Sequence, residues 1–379
     1  MRAWLEIDLA AVSRNYDRIR HHIGPHVGVI AVVKSDAYGH GIETMAALLQ
    51  KRGIQGFAVI SLEEAIQIRK VSKAPVLIMG YLTDQEIEEA IRQGCVLSLY
   101  DAELAPLYQQ IAARLGRKAV VQLKIESGLN RLGMSSEEAL AILENKEIYK
   151  NLTVEAAYSH LSTSSNPEEN NAQYERFGKF IDEAAAKGFE LPLHLANSHA
   201  LPNFRIGFLN AVRVGLALYG VDEVIPGLEP SLTCKTVVIQ RKRVKAGEGI
   251  SYNKLFRAPR DMDVAVLGLG YAEGLSQALT GKANVLIGGR KTPILGQICM
   301  NLCVADVTGI PAQRGSEAVV VGRQGESTIR VVDLANAAGL RHHEILTRFG
   351  KTLPRIYLNE DKAAEVGKSS SSAEPVLVS

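Results

Sequence analysis

Between residues 28 and 220 the sequence repeats one pattern eight times: a short apolar run, then a polar or amphipathic stretch long enough for a helix. The runs occupy 29–33, 57–60, 76–79, 96–99, 119–125, 154–158, 192–196 and 212–218. Helix-like stretches between them include 42–52, 62–70, 85–92, 103–115 and 173–187. Runs this short and apolar read as strands buried on both faces, and helix-length connections make such strands parallel, because only a crossover reaches a parallel partner. Eight units within about 190 residues favour an α/β fold of the (β/α)8, TIM-barrel kind. Periodicity alone leaves an open, doubly wound sheet as the alternative. Two helix starts carry capping residues: Thr83 or Asp84 before Gln85-Glu86, and Ser136 before Glu137-Glu138.

After about residue 230 the texture changes. Segments 237–244, 263–269, 284–287, 291–295, 302–306 and 317–321 read as strands broken by Gly, Pro and charged turns. Helical stretches stand at 331–338 and 344–349. We therefore expect a barrel over 1–228, a mostly β C-terminal domain over 229–360, and a disordered tail over 361–379. A chain of 379 residues suits two domains better than one core.

The formal net charge is +2, so no single-sign field points to nucleic acid. Arg241-Lys242-Arg243 with Lys245 reads as a solvated strand face. No apolar run has the length of a membrane span, and no secretory signal opens the chain. Cys95, Cys234, Cys299 and Cys303 lack the spacing of a disulfide framework, which fits a soluble protein in the reducing cytoplasm. Cys299 and Cys303 have no second Cys or His pair with which to complete a zinc site.

In a (β/α)8 barrel, chemistry collects where the strands end. There the sequence places Lys34-Ser35-Asp36-Ala37-Tyr38-Gly39-His40-Gly41, Lys124 through Asn130-Arg131-Leu132-Gly133, His160, His194 through Ser198, and Arg213 with Gly215. Solvated loops need no Lys or Arg inside apolar strands. Lys34 ends the first run, where burial would lower its pKa and free an amine able to form Schiff bases. Taken alone it also reads as a solvated rim lysine, and Arg213 as a barrel-end arginine paired with a carboxylate.

Other matches carry less. Ser251-Tyr252-Asn253-Lys254 has the serine–lysine spacing of penicillin-interacting enzymes without their other motifs. Gly268-Leu269-Gly270 is followed by Gly274, one residue too far for a dinucleotide fingerprint. His343-Glu344 lacks the second histidine of a zinc-protease helix, and Gly288-Gly289 is a turn.

The stretch 31–41 closely resembles the pyridoxal phosphate-attachment motif of alanine racemases. Further matches follow in the family's order across nearly the whole chain. They are Lys124 with Arg131-Leu132-Gly133, Tyr158-Ser159-His160, His194 with Asn197-Ser198, Val212-Arg213-Val214-Gly215, Gly249-Ile250-Ser251-Tyr252, Gly270-Tyr271-Ala272 and Ile298-Cys299-Met300. The resemblance implies a racemase that interconverts L- and D-alanine by two bases, using pyridoxal phosphate. It also implies a head-to-tail homodimer with shared active sites and a place in D-alanine supply for peptidoglycan.

Roles follow from the same resemblance. Lys34 would hold the cofactor and act as one base, with Tyr252 of the partner subunit as the other. A phenol of pKa about 10 needs help to act as a base near neutrality, and His160, linked to Arg213, would supply it. Arg213 would face the pyridine nitrogen, where it cannot release a proton and leaves the ring a shallower electron sink than a carboxylate would. Tyr38, Ser198 and the N–H groups of Gly215 and Leu216 would take the phosphate. Arg131 would approach the cofactor's phenolic oxygen and the substrate carboxylate. Lys124 is a candidate for carbamylation, because unmodified it would repel Arg131. Met300 would offer a backbone N–H to the substrate, with Tyr271 and Asn301 beside it.

Two positions depart from the pattern. Asn301 stands where the family usually has Asp, and His343 (or His342, if the match shifts by one) where it usually has a Tyr of the phosphate and entrance cluster. These changes raise the alternative of a serine or broad-specificity racemase. A decarboxylase of the same fold type is disfavoured by Tyr252 and Arg213. A non-enzymatic pyridoxal phosphate carrier would resemble only the barrel.

Overall fold

A computed structural model describes residues 1–163, 166–202, 209–221 and 224–365. The chain opens with a strand, β1 (Ala3–Asp8), that belongs to the second domain. The eight apolar runs then become β2 (Gly28–Val32), β3 (Gly56–Val59), β4 (Val76–Ile78), β5 (Val96–Leu99), β6 (Ala119–Lys124), β7 (Leu152–Tyr158), β8 (Leu193–His194) and β9 (Ala211–Val214). They form a closed parallel barrel, shut by β2 against β9 with Gly28 opposite Ala211 and Ile30 opposite Arg213. The open-sheet alternative is excluded.

From β2 to β8 each connection carries a helix, whereas among the described residues the link from β8 to β9 holds only the 3-10 turn Ser198–Ala200. Thr83, rather than Asp84, starts the helix Asp84–Arg92 with a capping box to Glu86. The cap of Ser136–Glu144 is Ser135, one residue before the expected Ser136. Ser135 has Glu138 at the third helical position and closes the box, whereas Ala139 would occupy that place for Ser136.

The C-terminal domain is mostly strand: β10 (Leu232–Val244), β11 (Gly249–Ile250), β12 (Phe256–Arg257), β13 (Met262–Leu267), β14 (Asn284–Ile287), β15 (Arg290–Leu295), β16 (Cys303–Asp306), β17 (Glu317–Gln324), β18 (Ser327–Ile329) and β19 (Arg355–Leu358). Apart from the β11–β12 hairpin these join a sheet ordered β18-β17-β14-β15-β16-β13-β10-β1-β19. The helices Val331–Ala338 and His342–Thr352 accompany it.

Two expected boundaries move. The strand β1 lies in the β-domain sheet, not the barrel, with Leu5 opposite Cys234 of β10 and Arg355 of β19. Its alternating burial marks a strand, but its partners lie hundreds of residues away and leave no local trace. Asp8 at its end caps the helix Leu9–Ile23 by accepting from the Ala11 N–H at 3.0 Å. At the other end, Glu360–Glu365 is a helix that buries Ala363, so residues 361–365 are not part of a tail. The rest of the expected tail, 366–379, lies outside the described residues. Among the described residues no helix is long and apolar enough to cross a membrane.

Candidate active site

Where the barrel strands end, a cavity of about 440 Å3 is lined by Lys34, Tyr38, Lys124, Arg131, Tyr158, His160, Ser198, Arg213, Gly215, Leu216 and His343. The barrel-side candidates Lys34, Tyr38, Lys124, Arg131, His160, Ser198, Arg213, Gly215 and Leu216 meet here, His194 lies behind Arg213 instead, and His343 rather than His342 faces the cavity. A more apolar cavity of about 300 Å3 between barrel and β domain is lined by Tyr219, Leu228, Val321 and Leu346, with Arg330 its one charged group. The chemistry collects in the first.

Lys34 leads into an unusual turn. Ser35, Asp36, Ala37 and Tyr38 have φ of 55°, 53°, 54° and 53°, one turn of left-handed helix made of side-chain-bearing residues. Such a conformation costs roughly 1–2 kcal/mol per residue, so tertiary contacts must hold it. Asp36 accepts from the Ile42 N–H at 2.7 Å and from Arg355, whose Nε also donates to Gly39 O at 2.8 Å. Glu64 accepts from the Ser35 N–H, and from the Ile60 N–H at 3.0 Å. A Cβ on Gly350 would stand 2.0 Å from Gly39 Cα, so both glycines are needed where the helix His342–Thr352 presses on the turn. Beneath it His40, fully buried, stacks on Tyr219 at 4.0 Å between ring centroids and binds Ser231 Oγ at 3.1 Å. Burial pushes the His40 pKa down to about 3, so the ring is neutral.

The turn brings Tyr38 against Gly215, where an added Cβ would lie 2.8 Å from the phenol oxygen. Ser198 Oγ accepts from the Gly215 N–H at 3.1 Å and the Ala217 N–H at 3.4 Å. Tyr38 also meets His343, with ring centroids 5.7 Å apart. Among the described residues this corner gathers hydroxyls and backbone N–H groups and no carboxylate, a donor set suited to an anion.

The opposite wall is cationic. Burial, then the charge of Arg131, lowers the Lys34 pKa, with Glu64 opposing. Burial, then Arg131 and Arg213, lowers that of Lys124 to about 8. Arg131 rides on a loop closed around Glu126. Burial alone would raise that carboxyl, but the N–H groups of Asn130, Gly128, Leu129 and Arg131 hold it below its ordinary value. Arg213, almost fully buried, donates to Ser159 O at 2.7 Å and His194 O at 3.1 Å and lies against His194 Nδ1 at 2.7 Å and His160 Nδ1 at 3.1 Å. Among the described residues Arg213 has none of the carboxylate partners expected of a merely structural arginine. Burial brings its pKa to about 10, so it stays charged at neutrality. A guanidinium only donates, so both imidazoles accept at Nδ1 and keep their hydrogen on Nε2. Burial, then Arg213 and the other cations, drives the His160 pKa to about 3.

The β-domain candidates lie elsewhere. Tyr252, Tyr271 and Met300 are 66%, 39% and 56% exposed, and none lines the cavity of its own chain. Asn301 turns inward and donates to Glu273 Oε1 at 2.8 Å, where Arg2 also binds. Around Tyr252 the backbone is again strained, with φ of 64°, 57° and 49° at Ser251, Asn253 and Lys254. Ser251 Oγ anchors this segment by donating to Gln297 O at 2.6 Å. Among the described residues, every non-glycine with left-handed φ except Asn359 sits beside Lys34, Arg131 or Tyr252. Sequence reasoning missed the residues that hold the site rather than line it: Glu64, His40 and Arg355. Only the ring of His40, between two glycines, offered a local signal.

A barrel whose first strand ends in a lowered-pKa lysine, facing an anion corner and a carboxylate-free arginine, defines a lysine-centred α/β-barrel enzyme with an appended β domain. Comparison with known proteins makes this specific. Residues 7–223 match the family model of the alanine racemase N-terminal domain, and residues 231–357 that of the alanine racemase C-terminal domain. The chain belongs to the alanine racemase family. The alanine racemase of Geobacter sulfurreducens is 35% identical over 93% of this chain and 96% of its own length. The crystal structure of alanine racemase from D-cycloserine-producing Streptomyces lavendulae is 29% identical, with a TM-score of 0.90 over 95% of this chain and 97% of its own. That from Bartonella henselae, with covalently bound pyridoxal phosphate, is 27% identical, with a TM-score of 0.85 over 94% and 100%.

Proposed function

We propose that this chain interconverts L- and D-alanine with pyridoxal phosphate held on Lys34. The observation that carries the reading is the pairing of Lys34, its amine's pKa lowered by burial, with Arg213, which meets carbonyls, neutral imidazoles and the Tyr158 ring and, among the described residues, no carboxylate. The donor set fits the group. Tyr38, Ser198 and the Gly215 and Leu216 N–H groups suit its phosphate, and Arg213 suits its ring nitrogen. Once bound, pyridoxal phosphate would draw electrons from the substrate's α-carbon and acidify its proton. Lys34, its amine free, would move that proton on one face. The other face needs a second base, and the exposure of Tyr252, Tyr271 and Met300 supports a homodimer in which Tyr252 of the partner subunit supplies it. His160, with its hydrogen on Nε2, would donate to that phenol's oxygen.

Arg131 would bind the substrate carboxylate together with the Met300 backbone and Tyr271, while Asn301, expected beside them, is engaged with Glu273 instead. Lys124, lowered to about 8 between two arginines, would be neutral often enough to take up carbon dioxide, and the carbamate would orient Arg131. The presence of His343 against Tyr38 supports a second reading, turnover of serine beside alanine.

The test is racemisation of L-alanine and L-serine side by side by the purified chain with added cofactor. It is combined with borohydride reduction and mass spectrometry of the Lys34 peptide. We expect a yellow protein, a reduced adduct on Lys34 and turnover of alanine. A colourless protein without turnover would defeat the reading, and comparable rates on both substrates would broaden it.

A further inference from the structure

Behind Arg213 the hydrogen bonds continue away from the cavity. His194 Nε2 lies 2.9 Å from Gln122 Oε1, and Gln122 Nε2 lies 2.8 Å from Glu155 Oε1. His194 and Gln122 are buried. The direction of every bond is forced. Arg213 can only donate, so His194 Nδ1 accepts and the single hydrogen of the neutral ring is on Nε2. That hydrogen needs an acceptor, which fixes the Gln122 amide with its oxygen toward the imidazole and its NH2 toward Glu155.

Glu155 reaches this position through a fault in the barrel. Along β6 and β7, Val121 pairs with Val154 but Gln122 pairs with Ala156, so Glu155 is the extra residue of a β-bulge. Bulges are rare in parallel pairs and serve to re-aim a side chain. Strict alternation would put Glu155 on the opposite face from Val154 and Tyr158, the latter of which lines the catalytic cavity. Instead Glu155, Gln122 and His194 share a second cavity of about 220 Å3 at the end where the strands begin. The two cavities thus lie at opposite ends of the barrel, with Arg213 and His194 between them.

We propose that Gln122 and Glu155 are positioning residues for Arg213. They fix the His194 tautomer that accepts from the guanidinium, and so hold Arg213 at the catalytic cavity from the far end of the barrel. Without the Gln122 oxygen, His194 either buries an unpaired N–H or moves its hydrogen to Nδ1, against the N–H of Arg213. Either outcome loosens the arginine. The consequence for turnover rests on the proposed function, but the tautomer itself does not.

The experiment uses the full chain loaded with pyridoxal phosphate. Imidazole nitrogen shifts after 15N-histidine labelling read the His194 tautomer, and we expect Nε2 to be protonated. Gln122→Met should lower kcat for alanine about tenfold, as loss of an orienting partner commonly does. Its KM should stay within about twofold, and the visible absorption band of the cofactor should shift. Glu155→Leu should lose less, and Glu155→Gln, which keeps an acceptor for the Gln122 amide, should recover most of that loss. A native His194 protonated on Nδ1 overturns the proposal. So does a folded Gln122→Met variant with native kcat and absorption. If that variant does not fold, Glu155→Leu decides, and native kcat and absorption in it count as refutation. A native chain inert toward alanine would strike the proposed function alone, because the imidazole shifts still decide the network.

Discussion

The two halves of the proposed site differ most in their contact with water. In the barrel, burial lowers the pKa of Lys34, Lys124, His160 and Arg213 together. On the β domain, Tyr252, Tyr271 and Met300 stand open to solvent. Withdrawal from water tunes acid–base groups, while large apolar and aromatic side chains left in water mark a surface that something covers. Both halves have strained backbone next to the residue that matters, at residues 35–38 after Lys34 in one and at Ser251, Asn253 and Lys254 around Tyr252 in the other. Strain held by surrounding contacts is thus common to the two, and exposure is what separates them.

The sharpest way to break this comparison is to remove one group from each half. Lys34→Ala should abolish the yellow colour and cut racemisation by at least roughly 10³-fold, as loss of a covalent nucleophile does. Tyr252→Phe should keep the colour and lose the activity. Unfolding and refolding the two inactive variants together should restore about a quarter of native activity, because half the dimers would be mixed and each mixed dimer would rebuild one of its two sites. No recovery would place Tyr252 in its own chain's site.

Acid should act on the barrel half first. His40 and His160 are held near 3 and His194 well below 6.5, so the folded chain keeps them neutral while the unfolded chain protonates them near 6.5. The unfolded state then binds more protons below pH 6.5, and stability falls as pH drops from there toward 3, by up to roughly 1.4 kcal/mol per pH unit for each histidine. Urea titrations between pH 7 and 4 should show this slope, and a flat profile would contradict the burial of these rings.

Asn301 refines the contrast, since it belongs to the exposed domain but points inward. Asn301→Asp would set a carboxylate against Glu273 and should lower stability by about 1–3 kcal/mol, with less effect on KM, as a thermal melt and a kinetic assay would show. The smallest effect should come from His343→Tyr. We expect a few-fold change in the ratio of serine to alanine turnover, typical of a modest change in pocket shape.

The barrel was legible because buried parallel strands write themselves as unbroken apolar runs, and Lys34, Lys124 and Arg213 stand out inside them. The strands β1 and β19 were not, since six- and four-residue segments say nothing about a partner hundreds of residues away. The left-handed turn was equally hidden. Ser-Asp-Ala-Tyr favours no such conformation, and what imposes it is Arg355, Glu64 and the contact of Gly39 with Gly350. Gln122 in an apolar strand reads as an outward polar residue, and only the bulge at Glu155 gives it a purpose.

The strand β1 also bears on how the protein is made. The strand β1 is synthesised before the barrel, but the strands that flank it, β10 and β19, follow only after the whole barrel has been made. The barrel can close while its leading strand waits unpaired, and the β sheet cannot be finished until the last strand arrives. A fragment cut at residue 228 would therefore take from the β domain a strand from between two others, and leave on the barrel a strand with nothing to pair with.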